Sequence, residues 1–165
     1  MFGKQEIRAF LDEKGIEYEW VEHKAVFTIA EMEELGLESM DEIAKNLFLR
    51  DQKGKRHFLV VIQGDKQANL KELGELLGVG KLSFASEERL EKHMGLKKGA
   101  VSPLGILNDA DCAVEVFFDS DFADMERIGV HPNENTASVY LSAKDLLEII
   151  RNHGNKLEIV NFASV

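Results

Sequence analysis

Cysteine is almost missing from this chain of 165 residues, and so is proline: there is one of the first and there are two of the second. A single cysteine, Cys112, cannot close an internal disulfide, and in Asp109-Ala-Asp-Cys112-Ala-Val it reads as a small apolar residue rather than a nucleophile. No Cys/His spacing of the kind that holds zinc occurs. Positive charge is also short, with 20 Lys+Arg against 30 Asp+Glu and a formal net charge of −10. A broad basic surface for unspecific duplex binding is therefore excluded, although local recognition of a nucleic-acid end is not. No apolar run is long enough to span a bilayer, and Met1-Phe-Gly-Lys-Gln-Glu has no signal-peptide pattern. A cytoplasmic location and no membrane partner are the expectations.

What is present is the composition of an ordinary globular protein, 44% hydrophobic and 30% charged, of a length that suits one domain over residues 1–165. Helical spacing of Ile7, Phe10 and Leu11 predicts a helix over 4–14, stopped by Gly15. Tyr18 and Trp20 alternate in a strand over 17–23, and Thr28-Ile-Ala-Glu31 is a capping-box pattern for a short helix ending near Gly36. Ser39-Met-Asp-Glu42 repeats that pattern and predicts a helix up to about Lys45. Leu47–Arg50 and His57–Ile62 flank the turn Asp51–Gly54 and predict a β-hairpin. Asn69–Leu77 and Ser86–Gly95 read as capped helices on either side of a short strand, 82–84. Gly99–Gly105 and Ile128–Asn135 read as loops, and Asp119–Glu126 as an acidic helical turn. Strands are expected at 113–118, 137–141 and 157–160, with a helix at 146–153. Strands alternate with helices, but a hairpin cannot be parallel. The expected fold is α/β, a mixed sheet surrounded by helices.

Three stretches could carry chemistry. Lys45 and Asn46 stand where a helical pattern gives way to the apolar run Leu47-Phe48-Leu49. A lysine there is either a solvated cation at a helix end or an ammonium held to grip an anion or polarise a carbonyl. Asn46 is also read as a helix terminator. Gly99 to Gly105 offers backbone N–H groups for an anion or oxyanion, or is a plain connector. His131-Pro-Asn-Glu-Asn135 gathers hydrogen-bonding side chains; His131 is a candidate acid or base, or part of a turn in which Asn133 and Asn135 bond their own backbone. His23, His57, His93 and His153 lack such company and read as surface or structural residues. Arg50, Lys53, Lys55 and Arg56 around the hairpin turn, with Lys66 after the second strand, are a candidate phosphate-contact patch or a solvated turn.

Taken in order, Ala44-Lys45-Asn46-Leu-Phe-Leu, Gly99-x-x-x-Pro103-Leu-Gly105 and Val130-His131-Pro-Asn133-x-Asn135-Thr136 resemble the YbaK/prolyl-tRNA synthetase-associated editing domains, and most of all their freestanding ProX branch. Val26-Phe27-Thr28 and Phe84-Ala85-Ser86 are similar to family segments too. The resemblance spans nearly the whole chain. It implies a deacylase for mischarged aminoacyl-tRNA, with alanyl-tRNA(Pro) as the expected substrate. Related branches remove cysteine or other small residues, and a non-catalytic tRNA- or synthetase-binding module of the same fold is the other alternative. The resemblance puts the essential lysine on Lys45, the glycine–proline loop on Gly99, Ala100, Val101, Ser102 and Pro103, and the histidine on His131. Asn46 joins the catalytic set; Thr28, Asn133 and Asn135 join the substrate-binding set. The expected partners are the tRNA acceptor end and prolyl-tRNA synthetase. An aminoacyl ester is already activated, so no cofactor or metal is implied.

Overall fold

A computed structural model describes residues 1–34, 36, 42–64 and 66–162. Helix α1, Lys4–Glu13, buries Ile7 and Leu11 and gives way to Gly15 at φ +67°. Strand β1, Glu19–Glu22, precedes α2, Ile29–Glu34, where Thr28 Oγ1 accepts the Glu31 N–H at 3.1 Å as an N-cap should. The hairpin is β2, Ala44–Asp51, against β3, His57–Gln63. Helix α3, Leu70–Leu77, is capped by Asn69 and closed by left-handed Gly78. Strand β4, Leu82–Phe84, and helix α4, Glu87–Met94, follow. Then come a 3-10 helix, Pro103–Asn108, strands β5 (Val114–Asp119), β6 (Ile128–Val130) and β7 (Ala137–Leu141), helix α5 (Ala143–His153) and strand β8 (Leu157–Val160).

The mixed sheet is present, with strand order β4-β2-β3-β5-β8. β4, β2 and β3 are antiparallel neighbours, whereas β3, β5 and β8 run parallel. Central β3 is buried on both faces from His57 to Ile62, the near-continuous apolar run of an inner strand. Alternation sorts its residues. Leu59 and Val61 join the core under α4, α5 and the 3-10 helix, while Phe58, Val60 and Ile62 pack with Leu73 of α3.

Four features depart from the sequence reading. A second sheet, β1-β7-β6, stands beside the first and is antiparallel throughout. Part of the loop over 128–135 is strand β6, because Ile128 to Val130 pair with β7 across a fully buried surface. Pro103 to Asn108 is a 3-10 helix rather than loop; Pro103 occupies its first turn and Ser102 Oγ accepts the Leu104 N–H at 3.1 Å. Lys45 and Asn46 do not end a helix. Residues 39–41 of the second capping-box pattern lie outside the described residues, and the chain is already strand from Ala44. Seven ladder positions against β3, from Ala44 to Arg50, outweigh a local capping signal.

Candidate active site

The two sheets touch through an isolated bridge, Ile43 to Gly129, and then diverge. β4 pairs only with Leu49–Asp51, so the first residues of β2 form an edge facing the gap. A cleft of about 290 Å³ opens there, walled by Ile43–Asn46 from one sheet and Gly129–His131 and Ser138 from the other. Phe27 and Thr28, just before α2, and Gly99 and Val101 complete it. Lys45, the glycine loop and His131 therefore meet in one hollow, although 86 residues separate the first from the last in sequence.

Each polar group in the cleft has a defined posture. The Lys45 ammonium donates to the Lys66 carbonyl at 2.7 Å, and no carboxylate is among the described wall residues. Asn46 leaves β2 on the opposite side from Lys45, by strand alternation. Its Nδ2 donates to Val101 O at 3.3 Å, which ties β2 to the glycine loop, while its buried Oδ1 has no hydrogen-bond partner among the described residues. His131 Nδ1 lies 3.1 Å from Ala137 O. A carbonyl can only accept, so Nδ1 carries the proton and Nε2 keeps its lone pair. Burial pushes the His131 pKa below its ordinary 6.5, the neighbouring His23 adds to the shift, and the Ala137 bond opposes it. The ring is neutral at pH 7, an acceptor rather than an acid.

Gly99 is in the left-handed region at φ +87°, and a Cβ there would meet Phe27 Cδ1 at 2.6 Å. Phe27 thus lies over the loop with 64% of its surface exposed. The anion-nest reading contracts to Gly99 and Val101. The Ala100 N–H is spent on Lys97 O at 3.0 Å, and Ser102 and Pro103 are buried away from the cleft as the start of the 3-10 helix. Gly105 makes room for Leu96 and Met94 and has no part in the site.

Asn133 and Asn135 also stand outside the cleft. Asn133, at φ +65°, sends Nδ2 to Phe2 O at 2.8 Å, and Asn135 Nδ2 donates to Val26 O at 2.8 Å. They line a neighbouring hollow of about 530 Å³, with Ala100, Lys97 and Lys98, and Phe27 belongs to both walls. The basic patch is at the other end of β2. Arg50 is five residues from Lys45, about 17 Å along a strand, and its Nε and Nη2 donate to Asp51 O and Gln52 O. Arg56 is held by both oxygens of Glu115 at 2.9 and 2.8 Å. Lys53 and Lys55 are exposed there.

Two polar residues at this site escaped the sequence reading. Ser138 is a small polar residue in a strand buried from end to end, which was the available signal. His23, read as structural, bonds Ser138 Oγ at 2.8 Å, and its ring centroid is 6.3 Å from that of His131. Nothing in its local sequence marks it.

An α/β protein with an ammonium, an amide, a neutral imidazole and a hydroxyl converging on a small cleft has the equipment to bind and hydrolyse an activated ester. Residues 23–149 match the family model of the aminoacyl-tRNA editing domain, and the chain belongs to that family. The prolyl-tRNA editing protein ProX of Acetoanaerobium sticklandii is 49% identical over 160 residues, covering 97% of this chain and 98% of that one. A bovine prolyl-tRNA synthetase associated domain-containing protein 1 is 36% identical, covering 95% and 96%. The fold is shared with a proposed trans-editing enzyme for prolyl tRNA synthetase, at TM-score 0.73, 21% identity and 96% coverage of both chains.

Proposed function

We propose that this chain is a freestanding deacylase that frees tRNA(Pro) of wrongly attached alanine. One observation carries the reading: Lys45 and Asn46, Gly99, and His131, from three well-separated stretches of sequence, wall a single cleft in a family whose domains edit aminoacyl-tRNA. Water adds to the ester carbonyl carbon, the bond from that carbon to the ribose oxygen breaks, and a proton passes to the departing oxygen. Alanine and a free terminal hydroxyl result.

The Lys45 ammonium stabilises negative charge, on the terminal phosphate or on the tetrahedral oxyanion, without losing a proton. A fixed positive charge aimed at a developing oxyanion is a general way to lower such a barrier. Gly99 and Val101 seat the aminoacyl end and align the water. Neutral His131 offers Nε2 to a ribose hydroxyl or to that water, and the unpartnered Asn46 Oδ1 accepts from the terminal adenosine or its hydroxyls. Thr28 is part of the cleft wall. The neighbouring 2′-OH is a further proton carrier that only RNA supplies.

A synthetase pocket for proline cannot strongly reject the smaller alanine, so a second sieve is needed. Ile43, Val101 and Val130 give the cleft the apolar wall that such a sieve needs. The acceptor end of tRNA is the docking partner, with Lys97 and Lys98 of the adjoining hollow as its phosphate contacts in place of the distant hairpin patch. Prolyl-tRNA synthetase is the source of the substrate. Incubation with Ala-, Cys-, Ser- and Pro-charged tRNA(Pro) tests the reading: label is lost from the alanyl form and kept in the prolyl form. Loss of the cysteinyl form alone would reassign the substrate, and no loss from any would leave a binding module.

A further inference from the structure

Lys45 takes no carboxylate among the described residues; its ammonium rests on the backbone carbonyl of Lys66. What fixes that carbonyl is therefore what fixes the cation. Lys66 stands just beyond β3, in a turn bonded at Gly64 N–H to Ile43 O (2.8 Å) and at Lys66 N–H to Gln63 O (3.1 Å). Its own side chain reaches back to Asp119, the last residue of β5, with Nζ 2.7 Å from Oδ2 and 2.9 Å from Oδ1. Asp119 is fully buried, and it also accepts the N–H groups of Gln63 (3.1 Å) and Asp121 (3.0 Å). One carboxylate thus clamps both ends of the turn. Asp121 adds a third oxygen to Lys66 at 2.9 Å but is exposed. Burial works against the Lys66 charge, yet the two carboxylates outweigh it and raise its pKa above the ordinary lysine value. A pair of this kind is costly to leave half-made, because either partner alone is an unpaired buried charge.

We propose that Lys66 and Asp119 are positioning residues for the reaction: their ion pair holds the turn whose carbonyl receives the Lys45 ammonium, and so sets where that cation stands in the cleft. The assignment of a reaction rests on the function proposed above; the clamp itself does not. Neither residue lines the cleft itself, and Lys66 meets its wall at Lys45, so the effect reaches substrate through Lys45.

Two readouts test this on the full-length protein. The first is acetylation of lysines by N-hydroxysuccinimidyl acetate, quantified by mass spectrometry at Lys45 with exposed Lys53 as internal reference. Lys66→Met is expected to raise labelling of Lys45 several-fold relative to Lys53, and Lys66→Arg to leave it near the native rate. The second is hydrolysis of alanyl-tRNA(Pro). Lys66→Met lowers kcat about tenfold with KM within twofold, and Lys66→Arg restores it, because a cation displaced by an ångström still binds but no longer faces the developing charge. Should Lys66→Met fail to fold, the double variant Lys66→Met/Asp119→Asn removes both charges and serves in its place. Native labelling of Lys45 together with native kcat in the folded variant overturns the proposal. Faster labelling in a protein whose native form hydrolyses no charged tRNA leaves the clamp standing and removes the function.

Discussion

The two ends of β2 differ although they share one strand and one partner. At the hairpin end most polar groups are answered from within, the exposed Lys53 and Lys55 side chains apart: Arg56 by Glu115, Asp51 Oδ1 by the Lys55 and Arg56 N–H groups, and His57 by Arg89, whose Nη1 lies 3.0 Å from its Nε2. His57 is further enclosed by the rings of Phe48 and His93, at 5.8 and 4.1 Å. At the cleft end, among the described residues, the Lys45 ammonium rests on a carbonyl and no carboxylate, and a buried Asn46 oxygen has no partner. A folded chain rarely leaves a buried acceptor unpaired without a use for it. The hairpin end has the charges of a binding patch and the bonding of a structural joint; the cleft end has few charges and unspent capacity.

Experiments that abolish or sharpen this contrast fall in order of size. Lys45→Ala should cut kcat for alanyl-tRNA(Pro) by about 10²–10³, the usual loss of an oxyanion-stabilising group, with an unchanged circular dichroism spectrum; full activity would remove the central residue. Lys97→Ala with Lys98→Ala should lower kcat/KM about tenfold at low salt. The slope of log affinity against log salt should become shallower by about 1.4, as expected for two single-strand phosphate contacts.

The hairpin end should instead report on stability. His57 is pushed down to about 4, mainly by burial and then by its neighbour His93 and by Arg89. In the unfolded chain a histidine takes its proton near 6.5. Acidification from 6.5 to about 4 therefore charges the unfolded chain first, and stability present above 6.5 drains away through that window. His93 and His131, also lowered, act in the same direction. Thermal midpoints measured across this range should fall by several degrees for the native protein and along a flatter line for His57→Asn. The smallest effect belongs to Arg50→Glu with Lys53→Glu: kcat/KM should change less than twofold at physiological salt. A larger change, carrying a reduced salt slope, would extend the RNA footprint to the far end of the strand.

Legibility in the sequence followed the range of the forces involved. Asn69 and Ser142 caps, the glycine stops and the hairpin were readable because each depends on residues a few positions apart. The start of β2 was misread because its helix signal was local and its strand pairing was not. Asn133 and Asn135 carry the right side chains in the right motif. Their amide nitrogens are nonetheless committed to Phe2 and Val26, contacts spanning more than a hundred residues.

From composition and local pattern alone came an α/β chain without a disulfide framework, its capped helices, and the lysine, glycine loop and histidine on which the resemblance rests. Tertiary structure alone decided that a second sheet exists, that the cleft opens where the two sheets part, and that Lys45 is steered by the carbonyl of Lys66 under the hold of Asp119. The reason is physical: a cap or a turn is settled by neighbours in sequence, whereas the orientation of an ammonium is settled by whichever acceptors the packed sheets bring beside it.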